Sequence, residues 1–276
     1  MSHKTNGLNN KAAWARLKTL DMIHAAAKGH IGGCFSSMDI LVALFYGAIL
    51  RFDAKDPSWS QRDRFILSKG HACEGLYVIL ADLGFFSPEY LDKYQRSGGI
   101  LGGHPDRSIP GIEADTGALG HGLGIGAGMA LAGRMDKKDF LTLVLMGDGE
   151  CCEGSVWESA MFAGRHQLDH LVGIIDKNGL CVTDRVSDCM AIDPLADKWK
   201  ACGWDVKVVN GHDIPGIMKV LSRVRSRKST KPLMVIARTV KCKGVSFMEN
   251  DLQWHHGVPK GDILERARLE LSQGVK

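Results

Sequence analysis

Short continuous apolar runs alternate along the chain with longer segments in which apolar residues recur every three or four positions. The short runs are typical of strands buried on both faces of a parallel sheet, and the longer segments are typical of helices. The predicted helices cover 10–28, 38–48, 123–134, 153–166 and 217–227. The predicted strands cover 140–146, 171–175, 205–209 and 233–240, and a further short strand lies within 63–72.

This alternation predicts an α/β fold, a doubly wound and mostly parallel sheet flanked by helices, with ligands at the carboxyl ends of the strands. A chain of 276 residues can bury one large core, and no repeat or low-complexity linker interrupts it. We therefore predict a single domain over residues 1–276. Ser36 or Ser37 is expected to cap the helix that begins near Met38.

Polar residues follow two of the predicted strands directly. Gly147-Asp148-Gly149 ends the strand 140–146, and Asn178 ends the strand 171–175. In a parallel βαβ unit both strand ends lie at the same edge of the sheet, so Asp148 and Asn178 should converge. The helix from Glu153 begins beside them, and its N-terminus favours a phosphate. A carboxylate, an amide oxygen and a backbone carbonyl suit Mg²⁺ that also binds two oxygens of a diphosphate.

Three histidines stand next to glycines in predicted loops: His30, His71 and His104. A histidine in such a loop is available to a ligand, and three in one setting indicate a shared site. Glycines are also frequent from Gly117 to Gly128, which suggests close approach of another backbone or a cofactor. A dinucleotide-binding fingerprint fails there because no strand precedes it and no acidic residue follows at the required distance.

Composition narrows the function further. A net charge of +4 and a pI near 8.6 are mild, and no basic run is interleaved with aromatic residues, which argues against a nucleic-acid partner. No segment is apolar over the length of a membrane span, and the start of the chain does not resemble a secretion signal, so we expect a cytoplasmic protein. The eight cysteines form no paired motif and are expected to be reduced thiols. Cys151 and Cys152 are interpreted as packing residues, with a redox role as the alternative.

The Gly-Asp-Gly turn, the helix from Glu153 and the strand ending in Asn178 together resemble the thiamine diphosphate motif. KGHIGGCFSSMDILVALFY and RDRFILSKGHA resemble two signatures of the transketolase family, and the Gly-Gly-His104-Pro and His256-Gly-Val-Pro segments are also similar to it. The resemblance spans His30 to Pro259, nearly the entire chain.

The resemblance implies thiamine diphosphate as cofactor and Mg²⁺, or another divalent cation such as Ca²⁺ or Mn²⁺, as the metal. The implied metal ligands are Asp148, Asn178 and the Leu180 carbonyl. The implied cofactor-binding residues are His71, Gly117, Leu119, Gly147, Asp148, Gly149, Glu153, Asn178 and His256. The implied catalytic histidines are His30, His71, His104 and His256, with His30 and His104 on the substrate.

Three assignments stay open at this stage. His255 is the weaker candidate for the role given to His256. Glu153 is either an interface residue between paired cofactor sites or a first-turn helix residue. Lys241 and Lys243 follow a strand end and could contact phosphate, although solvated surface lysines are more common.

The implied function is that of the N-terminal subunit of a thiamine diphosphate-dependent transketolase, which transfers a two-carbon ketol unit from a ketose donor to an aldose acceptor. A separate C-terminal subunit would carry the pyrimidine-binding domain and its glutamate, in a heterotetramer that acts on sugar phosphates. The alternatives are a non-catalytic or regulatory relative of the fold, or a subunit of a deoxyxylulose phosphate synthase or a 2-oxoacid dehydrogenase.

Overall fold

The structure, a computed structural model, describes residues 2–275, with side chains from residue 7 onward. Five β-strands lie within this part of the chain: β1 Arg64–Leu67, β2 Thr142–Gly147, β3 Leu171–Lys177, β4 Asp205–Asn210 and β5 Leu233–Arg238. The α-helices are α1 Ser2–Ala26, α2 Ile31–Phe45, α3 Cys73–Asp82, α4 Gly122–Met135, α5 Gly154–Arg165, α6 Val186–Cys189, α7 Leu195–Ala201, α8 Ile214–Leu221 and α9 Asp262–Gln273. Short 3₁₀ helices cover Gly70–Ala72, Pro88–Lys93, Gly149–Cys152, Val224–Ser226 and Leu252–Trp254.

The five strands form one parallel sheet in the order β1-β2-β3-β5-β4. Parallel neighbours require crossover connections, and helices supply them, as in a doubly wound fold. The predicted α/β class with a parallel sheet flanked by helices is therefore confirmed.

Both faces of the sheet are buried, which explains the continuous apolar runs in the sequence. On β2, Leu143 and Leu145 pack into a core with residues of α1, α2, α3 and α8. The intervening Val144 and Met146 pack into a second core with α4, α5 and α7. Successive side chains of a strand point to opposite faces, so a strand between two helical layers has to be apolar throughout.

The second helix begins earlier than the sequence indicates. The chain becomes helical at Ile31, directly after His30, so Ser36 and Ser37 lie inside α2 and do not cap it. Ser37 Oγ donates to the Gly33 carbonyl at 2.7 Å, a bond within the helix. The prediction of a cap at Ser36 or Ser37 was wrong because the helix already begins at Ile31, with His30 as its N-cap residue and no capping bond from the His30 side chain.

No helix within residues 2–275 is both long and apolar enough to cross a bilayer. The edge strand β4 is partly exposed, and its charged residues Asp205 and Lys207 discourage pairing with another sheet edge.

Candidate functional site

The ends of β2 and β3 bring Asp148 and Asn178 to one edge of the sheet. Gly147 pairs with Asp176 in the parallel register, and the next residue, Asp148, turns into the 3₁₀ helix Gly149–Cys152. The Asp148 carboxylate accepts the N–H of Gly149 at 3.0 Å and that of Gly179 at 2.6 Å. Gly179 follows Asn178 directly, and its φ of +80° is one that glycine adopts readily. One carboxylate therefore ties the two strand ends together.

A buried network beneath this turn orients Asn178. The Asp176 carboxylate accepts hydrogen bonds from Lys69 Nζ, from Ser36 Oγ at 2.6 Å and from Asn178 Nδ2 at 3.3 Å. With its amide nitrogen so bound, Asn178 has its Oδ1 on the other side, where it accepts the Leu180 N–H at 3.1 Å. Burial pushes the pKa of Asp176 up, but Lys69 and the hydroxyl donors hold it below its ordinary value, so this carboxylate is ionised.

A cavity of about 120 Å³ opens at these strand ends. Its walls include seven of the predicted site residues: His71, Leu119, Gly147, Asp148, Gly149, Asn178 and Leu180. Lys69, Glu150, Lys241 and His255 also line it. The cavity therefore combines two lysines, two histidines and the Asp148 turn, which is the donor set that a diphosphate and a cation require.

Burial shifts the pKa values of two charged groups that line this cavity, Asp148 and Lys241. It raises the pKa of Asp148 to about 6, and the neighbouring Asp176 adds to the shift. It also lowers the pKa of Lys241 to about 8, with a contribution from Lys69. Burial is the main cause of both shifts, so an anion with a bound cation would stabilise the charged forms of Lys241 and Asp148.

Lys241 lies inside the protein, so the more common alternative, a solvated surface lysine, does not hold for it. Its side chain is 2% exposed. Its Nζ donates to the Cys181 carbonyl at 2.7 Å and lies 2.9 Å from His255 Nδ1. Lys243 instead pairs with Glu249 at 3.0 Å near the surface. The strand end alone could not predict this burial, because the carbonyl partners come from a loop sixty residues earlier.

Four other histidines gather around His30. The distances from its ring centroid are 5.5 Å to His71, 6.2 Å to His104, 5.7 Å to His255 and 4.6 Å to His256. The buried Glu74 fixes the loop by accepting the His30 N–H at 2.9 Å. Within residues 2–275, His30 Nδ1 is buried without a hydrogen-bond partner, and it lies 3.9 Å from Glu74 Oε1.

The three partly buried histidines of this group, His30, His71 and His255, are neutral at physiological pH. Burial, together with His256 and His104, lowers the pKa of His30 to about 4. Burial and Lys241 lower the pKa of His255 to about 3, and burial and Lys69 hold the pKa of His71 well below its ordinary value. A neutral imidazole offers one donor and one acceptor, which suits contact with hydroxyl groups.

The structure separates the two adjacent histidines of the C-terminal segment. His255 stacks on His71 with ring centroids 5.4 Å apart and lines the cavity. His256 is exposed, and it lies against His30 outside the cavity wall. The geometry thus favours His255 over His256 as the residue nearer to a bound diphosphate.

Two other predicted cofactor residues, Gly117 and Glu153, do not line the cavity. Gly117 has a φ of +144°, and a Cβ there would stand 2.7 Å from the His104 ring, so glycine permits this contact. Glu153 is exposed at the N-cap of α5 and forms no capping bond with its side chain. Cys151 is fully buried, as a packing residue would be, and burial raises its pKa well above the ordinary value.

The reasoning from sequence missed three buried charged residues. Lys69, Glu150 and Asp176 are at most 2% exposed. Lys69 and Asp176 lie at the ends of β1 and β3, so the rule that ligands bind at strand carboxyl ends could have found them. Glu150 lies in the turn that the sequence already marked.

The Leu180 carbonyl faces Lys241 Nζ at 3.3 Å. Across the described part of the chain, no three His, Cys, Asp or Glu side chains cluster as a metal site would need. The predicted ligand set contains only one such side chain, Asp148, beside an amide and a carbonyl oxygen. That set has the hard oxygen chemistry of a Mg²⁺ site that is completed by phosphate and water.

The sheet and the cavity together define an α/β protein of the class that holds an anionic cofactor at its strand ends. A family model described as the transketolase, thiamine diphosphate binding domain matches residues 9–272. The chain belongs to this family.

Relatives of similar length are named as transketolase subunits. An apulose-4-phosphate transketolase subunit of Phocaeicola vulgatus is 44% identical, over 95% of this chain and 92% of the relative. The 6-deoxy-6-sulfo-D-fructose transketolase subunit SqwG of a Clostridium species is 39% identical, over 99% of both chains.

The fold matches that of larger transketolases. The structure of transketolase from Campylobacter jejuni superposes with a TM-score of 0.90 at 32% identity, covering 96% of this chain and 42% of that one. The predictions of a transketolase enzyme, of a thiamine diphosphate-binding domain and of an N-terminal subunit of a split transketolase are confirmed.

Proposed function

We propose that this chain binds thiamine diphosphate through Mg²⁺ at the Asp148 turn and transfers a ketol unit only together with a second subunit. The observation that carries the proposal is the meeting of Asp148, Asn178, Lys69 and Lys241 around one cavity. The cofactor supplies the electron sink for breaking and forming a carbon–carbon bond beside a carbonyl. The residues of this chain bind and orient it.

Asp148, Asn178 Oδ1 and the Leu180 carbonyl would hold the cation, with Ca²⁺ or Mn²⁺ as replacements for Mg²⁺. Lys241 would turn from the Leu180 carbonyl toward the diphosphate, which frees that carbonyl for the metal. The phosphate oxygens would be bound by Lys69, His71 and the N–H of Gly149. His255, in preference to His256, would also bind the diphosphate. Gly147 lets the turn approach the cofactor, and Gly117 and Leu119 would face the aminopyrimidine.

His30 and His104 would bind hydroxyl groups of the sugar and exchange protons with them. The lowered pKa of His30 supports this role, as does the 6.2 Å distance between its ring centroid and that of His104, because a neutral imidazole offers hydroxyl groups one donor and one acceptor. His256, which lies against His30, would complete the sugar-facing side. Glu153 would lie where paired cofactor sites meet, as an exposed residue at the start of α5.

The size of the cavity supports a second subunit. A volume of about 120 Å³ is well below the roughly 300–1,000 Å³ of a complete ligand pocket. The names of the relatives imply a partner chain. We propose that the partner carries the pyrimidine-binding domain and its glutamate, and that two chains of each kind form a heterotetramer. We also propose that residues 1–276 form one domain and that the enzyme is cytoplasmic.

The substrate class follows the relatives that match over their full length. One is named for apulose 4-phosphate and another for 6-deoxy-6-sulfofructose, both ketoses with an anionic group. We propose a phosphorylated ketose as donor and an aldose, free or phosphorylated, as acceptor. These relatives are named as transketolase subunits. Their names favour a transketolase over a subunit of another thiamine diphosphate enzyme.

The first experiment measures cofactor binding by calorimetry with Mg²⁺ for the wild-type chain and for Asp148→Asn. We expect affinity to fall by more than the ~10–100-fold that loss of an outer-shell partner of a metal causes. Asp197→Asn, at an exposed position in α7, should bind like the wild type. Equal affinity of wild type and Asp148→Asn would contradict the metal assignment.

The second experiment tests dependence on the partner. The purified chain with cofactor and Mg²⁺ should show no ketol transfer, and addition of the candidate C-terminal subunit should restore it. Transfer by the chain alone at an ordinary enzymatic rate would contradict the split-subunit proposal. Cofactor binding without transfer in the reconstituted complex would favour a regulatory relative.

A further inference from the structure

One carboxylate that the proposed function does not use joins three separate loops of the site. Glu150 Oε1 accepts the Ser68 hydroxyl and the N–H of Gly120, the latter at 2.9 Å. Its Oε2 accepts the N–H of Gly147 at 3.1 Å. Ser68 follows β1, Gly120 precedes α4 and Gly147 ends β2, so these donors lie far apart in the sequence.

The bonds continue one step beyond Glu150. The N–H of Gly122, at the start of α4, donates to Ser68 Oγ at 3.1 Å, and Ser68 in turn donates to Glu150. A carboxylate has acceptor positions for all three donors that reach it, whereas a neutral side chain of the same length does not. Glu150 is 2% exposed, so water cannot replace a lost bond there.

Each donor stands next to a residue of the cavity wall. Gly120 follows Leu119, Gly147 precedes Asp148, and Ser68 precedes Lys69. Glu150, which itself lines the cavity, therefore links the loop assigned to the aminopyrimidine with the turns assigned to the diphosphate. A shift of any one loop would break a hydrogen bond to the same carboxylate.

We propose that Glu150 is a positioning residue that sets the spacing of Leu119, Asp148 and Lys69 for the cofactor without donating to or accepting from it. This inference rests on the proposed binding of thiamine diphosphate at the cavity. Glu150 directly follows the Gly-Asp-Gly turn and is not needed as a metal ligand. The inference gives it a separate role in positioning the loops.

The test compares Glu150→Gln with wild type for thiamine diphosphate affinity in the presence of Mg²⁺, by calorimetry, well below the thermal midpoint of each protein. An amide turns one acceptor into a donor, which then faces a backbone N–H or the Ser68 hydroxyl. We expect affinity to fall about tenfold or more. Glu89→Gln, at an exposed position outside the site, makes the same change of charge and should bind like wild type.

Two further variants make the result decisive. Glu150→Asp keeps the charge but cannot reach Gly120 and Gly147 together, so it should also bind weakly. Ser68→Ala removes one donor to Glu150 and should weaken cofactor binding several-fold. This variant tests the proposal if Glu150→Gln does not fold. Wild-type affinity in a folded but less stable Glu150→Gln or in Ser68→Ala would show a purely structural role and overturn the proposal. Failure of the wild type to bind would instead contradict the proposed function.

Discussion

At the scale of single residues, burial lowers the pKa of three histidines of the site, His30, His71 and His255. His30 lies among four other imidazoles, and a second proton there would meet repulsion as well as desolvation. Its folded-state pKa of about 4 lies below the ordinary value of 6.5. The folded protein therefore binds fewer protons at His30 than the unfolded chain does between these two values.

This difference predicts a pH-dependent free energy of unfolding. Stability that His30 contributes is fully present above pH 6.5, and it is lost as the pH falls toward about 4. His30→Asn removes the group, so its free energy of unfolding should depend less on pH over that interval than that of the wild type. Urea unfolding of the cofactor-free chain at several pH values measures both slopes.

The comparison with the variant is needed because Asp148 acts in the opposite sense. Burial raises its pKa, so protonation near pH 6 stabilises the folded state. Lys28→Gln, a change at an exposed residue in the same loop, should leave the slope unchanged. Parallel curves for wild type and His30→Asn would contradict the assigned depression of the pKa.

Residues that follow a buried strand were predictable, and residues placed by long-range packing were not. Asp148 and Asn178 could be paired from the sequence because parallel strands end at one edge of a sheet. Lys241 could not be assigned to the interior, since its partners are carbonyls of the loop after β3. His255 and His256 are adjacent and match the same motif, so the sequence does not distinguish them. The path of the backbone decides which of the two rings faces the cavity.

At the scale of elements, α4 explains why glycine is so frequent near the site. A Cβ on Gly126 would stand 2.5 Å from Val144 Cγ2 of β2, so this glycine lets the helix lie close to the sheet. Gly128 has no atom within 4 Å of such a Cβ and is exposed. The sequence indicated close approach along this helix, but only packing shows which glycines need it.

These two glycines form a matched pair for mutation. Gly126→Ala should lower the free energy of unfolding by about 1–3 kcal/mol, because the helix or Val144 has to move. Gly128→Ala should raise it by about 0.5–1 kcal/mol, because alanine loses less backbone entropy in a helix. Urea unfolding of the isolated chain measures both changes. Equal effects of the two substitutions would contradict the close packing at Gly126.

Element boundaries were less predictable than element types. The strands and the helices around the site occur where the apolar pattern places them, but α1 and α2 both begin well before their predicted starts, at Ser2 and at Ile31. The serine signal failed there because a hydroxyl can bond a carbonyl inside a helix as well as an N–H at its start. Ser36 contacts Asp176 as well, so a residue interpreted as a cap belongs to the network under the site.

At the scale of the whole molecule, the cavity is assembled from the ends of β1, β2 and β3 and from the segment after β5. The cavity residues Lys69, Asp148, Asn178 and Lys241 come together only when β1, β2, β3 and β5 are paired. The unfolded chain cannot hold these groups in place, so the cofactor should bind the folded state alone. Binding should therefore stabilise the entire sheet and not one loop.

Linkage gives the size of this effect. With free thiamine diphosphate at 100 times its dissociation constant and Mg²⁺ present, the folded state should gain about 2.7 kcal/mol. For a chain of this length that corresponds to a rise of roughly 5 °C in the thermal midpoint, measurable by calorimetric or fluorescence melting. Asp148→Asn at the same ligand concentrations should show little of this rise, because the cation would lose its only carboxylate ligand from this chain. A wild-type midpoint that does not move with cofactor, or one that moves equally in Asp148→Asn, would contradict a site built from these strand ends.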